Sequence, residues 1–186
     1  MKKLLNTSTL IALSVSAMFA LQACSSNSSV TPVKATLYDS LGGSVMVSDP
    51  AKPGTTIEKG RLGIRSVIDS TIFVIAGDSR INGHFTVLLS EVTKGNLSGF
   101  TELSGNLTTF VAVATGAKNF TYTGDNMVDA HDPAKNPRMN GKATAADFDA
   151  FVDDVVKGAN KNKLPSNLIG SLGKIIVSLK AQVVQQ

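Results

Sequence analysis

Two histidines, His84 and His131, and a single cysteine, Cys24, are the imidazole and thiol groups this chain can offer a metal. Their number excludes much. A His-Glu-x-x-His zinc site needs two imidazoles one helical turn apart, and structural zinc or iron–sulfur sites need several thiolates. The chain also lacks a Gly-x-x-x-x-Gly-Lys phosphate loop, a Gly-x-Gly-x-x-Gly turn and a Gly-x-Ser-x-Gly elbow. Asp149, Asp153 and Asp154 offer carboxylates for acid–base work, but they fall on the polar side of an amphipathic pattern, so a solvated face is expected. The remaining arrangement with chemical content is Phe120-Thr-Tyr122-Thr-Gly124-Asp-Asn-Met127-Val-Asp-Ala-His131, in which Met127 and His131 stand four residues apart and share a face if helical. One imidazole so placed would hold a metal-centred cofactor in an apolar helical pocket. Taken alone, a lone histidine is more often a hydrogen-bonded core or surface residue than a ligand.

Such a pocket needs helices, and the chain carries their period. Hydrophobic residues make up 42% of the sequence and charged ones 17%, enough for an aliphatic core in one domain. Phe148, Phe151, Val152, Val155 and Val156 fall at helical spacing behind Thr144, whose partner three residues on is Asp147, the pattern of a capped N-terminus. Leu168, Leu172, Ile175, Ile176, Leu179 and Val183 repeat the pattern after Pro165-Ser166, predicting a long C-terminal helix, with Gly158 to Lys163 as the turn between the two. Leu62, Ile64, Val67, Ile68, Ile72, Phe73 and Ile75 recur at helical intervals, although their β-branching would also suit a strand. Ser44 to Gly60 and Asp132 to Lys142, rich in Pro, Gly, Asn and Asp, read as exposed loops. The expected class is all-α.

The N-terminus reads differently. Lys2 and Lys3 precede an apolar run from Leu10 to Leu21 that is short for a membrane span. Leu21-Gln22-Ala23-Cys24 then resembles the bacterial lipobox, whose cysteine is acylated and becomes the new N-terminus. This resemblance implies a lipoprotein signal peptide over residues 1–23, lipidation at Cys24 with a flexible spacer over 24–35, and a folded domain over 36–186. Ser25 after the cysteine implies the outer membrane of a bacterial cell envelope. Of the net charge of +4, two belong to Lys2 and Lys3, too little and too scattered in the rest for nucleic-acid binding.

Three segments, taken in order, resemble group 1 truncated haemoglobins: Leu37-Tyr38-Asp39-Ser40-Leu41-Gly42-Gly43, Asp78-Ser-Arg80-Ile81-Asn-Gly-His84-Phe85, and Tyr122-Thr-Gly124-Asp-Asn-Met127-Val-Asp-Ala-His131. Ala-Asp-Phe-Asp-Ala-Phe from Ala146 is similar to the start of the family's penultimate helix. The resemblance implies a two-over-two helical globin sandwich holding haem b, with His131 as the proximal iron ligand and Phe85 against the haem face. Phe110, Tyr122 and Met127 would be pocket or rim contacts. Glu102 and Asn106 fall where the family places polar distal residues, often Gln. An ungapped alignment back from Phe85 sets Ile72 where a distal Tyr is common, so that hydroxyl donor is absent. His84 would sit at the surface or on the propionate side, with a sixth-ligand role as the alternative.

The function implied is reversible binding of oxygen, nitric oxide or carbon monoxide at a His-ligated iron, by a protein anchored in the envelope through lipid on Cys24. Nitric-oxide detoxification with an unidentified reductase, a peroxidase-like activity, a haem-carrier role and a haem-free globin-like interaction lipoprotein are the competing readings. The residues alone do not decide between transport, sensing and detoxification.

Overall fold

The computed structural model describes residues 34–186, which form one compact unit; the leader, Cys24 and most of the spacer lie outside the described residues. Helix α1 (Leu37–Ser40) opens on a capping box in which Thr36 and Asp39 exchange hydrogen bonds of 2.8 and 3.1 Å. Its end is closed by the glycine pair of the first motif. The Gly42 N–H donates to the Asp39 carbonyl and the Gly43 N–H to that of Tyr38, at 3.1 and 2.9 Å, with positive φ at both glycines.

The stretch from Ser44 to Gly60, expected to be an exposed loop, instead contains an antiparallel hairpin of β1 (Met46–Ser48) and β2 (Thr56–Glu58). Glu58 anchors it. The buried Tyr38 hydroxyl donates to Glu58 Oε2 at 2.6 Å and the Asn119 amide to Oε1 at 2.7 Å. Burial pushes the Glu58 carboxyl up, but these donors outweigh it and hold it below the ordinary range. At the turn, Arg65 grips Asp49 through two bonds of 2.6 and 3.2 Å. With the Ala51 N–H, it lowers the Asp49 carboxyl to about 2. An unfolded Asp titrates near pH 3.9, so this pair contributes stability above about pH 4 that is lost as pH falls toward about 2. Asp49→Asn is therefore expected to flatten the acid limb of stability, measured as urea midpoints by circular dichroism from about pH 5 downward; an unchanged limb would contradict it.

The ambiguous segment is a helix, α2 (Lys59–Gly77), which buries Ile64, Val67, Ile68, Ile72 and Ile75 and leaves Phe73 66% exposed. A 3₁₀ turn (Asn82–Phe85) and α3 (Thr86–Thr93) lead to α4 (Ser98–Ala114). Helix α4 packs on α2, and α2 crosses α6 (Ala145–Lys161), which in turn packs on α7 (Ser166–Val177). Two helix pairs are thus layered around a core of Ile64, Ile68, Ile72, Val111, Phe148, Val155, Leu172 and Ile176. The expected two-over-two sandwich is present, with the hairpin added. Among the described residues no helix is long and apolar enough to cross a membrane.

The second half of the chain corrects three further expectations. Helix α6 starts on the predicted Thr144–Asp147 capping box but runs to Lys161, so Gly158 is helical rather than a turn residue. It is buried against α2, where an added Cβ would stand 2.2 Å from Thr71 Oγ1 and 2.9 Å from its backbone nitrogen. Asp154, expected on the solvated face, is 0% exposed. Lys157 reaches it at 2.8 Å, and Arg80, which also pairs with Asp78 and Asp153, approaches at 3.7 Å. This network ties the end of α2 to α6. Lastly, the C-terminal helix is interrupted: the Ser178 hydroxyl bonds back to the Ile175 carbonyl, the Leu179 N–H bonds Ile176 in 3₁₀ fashion, and α8 (Lys180–Val183) follows as a separate turn.

Candidate functional site

An apolar cavity of about 310 Å³ lies between α2, α4, α6 and the segment carrying His131. Local sequence explains that segment. Asn126 caps helix α5 (Met127–His131), its side-chain oxygen accepting the Asp129 N–H at 3.0 Å. One turn later the His131 Nδ1–H donates to the Met127 carbonyl at 2.7 Å. A carbonyl can only accept, so this bond puts the proton on Nδ1 and leaves the Nε2 lone pair unengaged. Burial holds His131 below the ordinary imidazole range, with the bond to Met127 pulling the other way, so the ring is neutral near pH 7. A neutral imidazole with its second nitrogen fixed by a backbone acceptor is the form in which histidine ligates a metal.

The residues singled out from sequence share this cavity. Phe85, Glu102, Asn106, Phe110, Tyr122, Met127 and His131 all line it. Phe85 also packs on Ile75, Ile81 and Ala150. Phe110 and Tyr122 meet edge to face at 5.3 Å, and the Tyr122 hydroxyl donates to the Asp125 carbonyl at 2.8 Å, which turns that oxygen toward the rim. Burial raises the Tyr122 phenol, so it stays a neutral donor. Ile72 is buried in the wall, an apolar side chain where a hydroxyl would have faced the cavity. On α4, Glu102 and Asn106 are both exposed at its edge. Glu102 accepts the Arg138 guanidinium at 2.8 Å, whereas the Asn106 amide has no protein partner among the described residues and is the available polar donor on that helix.

Two side chains behave in ways the sequence does not announce. His84 lines the cavity, but its Nδ1 stands 2.7 Å from the Asn140 carbonyl and its Nε2 3.1 Å from Asp147 Oδ2, so both ring nitrogens are occupied. Arg138 was not foreseen. It bridges Glu91 at 3.3 Å and Glu102, joining the predicted loop from Asp132 to Lys142 to α3 and α4. That stretch is indeed loop, yet Asn136, Arg138 and Met139 from it form part of the cavity wall. A long-range pair of this kind leaves no local signal in sequence. Among the described residues no cluster of three His, Cys, Asp or Glu side chains is placed to hold a bare metal ion.

Neither a protein-family model nor a curated protein matches the chain. Solved structures do. It is similar to a truncated haemoglobin from Tetrahymena pyriformis, a tyrosine-to-phenylalanine variant in the Fe(III) form, with a TM-score of 0.58 at 16% identity. A glutamine-to-glutamate variant from the same organism, also Fe(III), gives 0.57 at 17%. Each comparison covers 82% of this chain and 100% of the other. The described domain has the truncated-globin fold.

Proposed function

We propose that the chain is a haem-binding globin of the group 1 truncated type, carrying haem b in the cavity with His131 Nε2 as the protein ligand to iron, and anchored in the bacterial envelope through lipid on Cys24. The carrying observation is the His131 Nδ1–H bond to Met127 at an apolar cavity, because it leaves one bare, neutral imidazole nitrogen on a residue that lines that cavity. The residues fit the group: a single nitrogen ligand, aromatic and aliphatic walls for a flat macrocycle, and polar side chains at the rim. Haem supplies an iron at which a diatomic gas, oxygen, nitric oxide or carbon monoxide, coordinates reversibly.

The protein's contribution is to fix and tune that site. Met127 orients the imidazole through its carbonyl. Phe85 and Phe110, which line the cavity, would give the macrocycle apolar contact. Asn106 is the side chain that can donate to a polar ligand, since Glu102 is an acceptor committed to Arg138. With Ile72 in the wall, the chain offers no hydroxyl there to a polar ligand, and oxygen release from a bound haem would be fast. Ile72→Tyr should slow oxygen dissociation about tenfold, the equivalent of one hydrogen bond of about 1.4 kcal/mol. Stopped-flow comparison with Ile72→Phe separates the hydroxyl from ring size; no slowing relative to Ile72→Phe would contradict the reading.

The function as a whole is tested by titrating the purified chain with haemin, then reducing it and adding carbon monoxide. The proposal expects an intense absorption band saturating at one equivalent and shifting with carbon monoxide. Absence of a saturable band would remove it.

A further inference from the structure

We propose that the face formed by the hairpin and the start of α1 is the surface on which the domain rests against an anionic phospholipid bilayer. The proposal extends the lipid-anchor reading of Cys24 by naming the face and the lipid charge it fits. Three observations converge on it. First, Val45 and Met46 are adjacent and 64% and 55% exposed, at the base of a hairpin whose first strand leaves both its outer residues in solvent. Second, Lys52, Lys59 and Lys118 are all exposed on or beside the hairpin, and among the described residues none of the three sits in an ion pair. Their common location is fixed by hydrogen bonds: the Lys59 N–H donates to the Val45 carbonyl at 2.7 Å, the Lys52 N–H donates to the Asp49 carbonyl at 3.2 Å in the hairpin loop, and Asn119, next to Lys118, bonds both Ser44 and Glu58. The carboxylates that would cancel this charge are committed inward, Asp49 to Arg65 and Glu58 to Tyr38 and Asn119, which leaves Asp39 as the exposed acid of the face.

Third, ten residue steps separate Cys24 from Lys34, where the described chain begins, so a lipid on Cys24 would hold the domain at a bilayer. At about 3.5 Å per residue, that stretch spans at most roughly 35 Å, which would raise the concentration of the lysines at the headgroups. Apolar side chains flanked by lysines suit the headgroup boundary, where the methyl and thioether groups leave water while the ammonium groups meet phosphates. Apolar area and positive charge together favour an anionic bilayer over a neutral one.

The chain has no Trp, so a single introduced Trp is an unambiguous reporter. Met46→Trp in the full chain, mixed with vesicles of phosphatidylglycerol and phosphatidylcholine, should show a blue-shifted emission quenched by brominated acyl chains. Val128→Trp, on the exposed side of α5, should not. Pure phosphatidylcholine vesicles, or Lys52→Glu with Lys59→Glu, should weaken the response on the order of tenfold or more when the chain is free in solution. Mass spectrometry of Cys24 separates the two layers of the reading. If Cys24 carries no lipid, the anchor fails, and titration with anionic vesicles still decides the face. If Met46→Trp stays unquenched on anionic vesicles, or its emission responds to protein concentration instead of lipid, the membrane face is wrong, and the latter result assigns it to a second copy of the chain.

Discussion

His131→Ala is expected to weaken haemin binding on the order of 100-fold or more, since it deletes the one imidazole whose second nitrogen is unengaged in the cavity. The fold should persist, because His131 closes a five-residue helix at the cavity edge and contributes little to the main core. Circular dichroism would show retained helicity while the haemin titration fails to saturate. Added imidazole should enter the vacated space and restore part of the spectrum, which separates loss of a ligand from loss of structure. His84→Ala is the matched control. Both of its nitrogens are tied to Asn140 and Asp147, so haem affinity should change far less. Unchanged haemin affinity in His131→Ala would remove the site assignment.

The second large effect is on stability and falls where α6 crosses α2, at Gly158. Gly158→Val is expected to cost about 3 kcal/mol or more, because a Cβ there would stand 2.2 Å from Thr71 Oγ1 and 2.9 Å from Thr71 N, and a backbone atom cannot swing aside. The helices α2 and α6 would have to separate at their crossing. Asn162, which donates to the Ser66 carbonyl at 3.0 Å and Ser70 Oγ at 2.8 Å, would lose its register as well. Gly170→Ala gives the opposite sign. Its Cβ meets nothing within 4 Å, so the gain in helix propensity should add up to about 1 kcal/mol. Chemical denaturation of both variants checks the pair; equal midpoints would refute the account of the crossing.

What the sequence made legible were features written in local spacing. Thr144 and Asp147 announce the start of α6, and Phe148, Val155, Leu172 and Ile176 fall at the helical period that puts them in the core. His131 and its neighbours were legible as a motif. Features created by contacts between distant elements were not. Asp154 shares the polar spacing of Asp153, yet it is buried because Arg80 and Lys157 come to meet it. Gly158 has the composition of a turn, but in the fold it supplies the missing side chain that lets α6 approach α2. Gly105, Thr108 and Thr109 make α4 weak on propensity alone, yet it forms a regular helix because Ser104, Thr108, Val111 and Ala112 are buried in the packed domain. Arg138 falls in the same class, since its partners Glu91 and Glu102 stand far away in the chain.

The most direct test of the central claim is the low-frequency resonance Raman spectrum of the reduced, haem-loaded chain. Ligation by His131 predicts an iron–histidine stretching band that is retained in His84→Ala and absent from His131→Ala. A band that survives in His131→Ala and disappears in His84→Ala would contradict the account and transfer the iron to the other histidine.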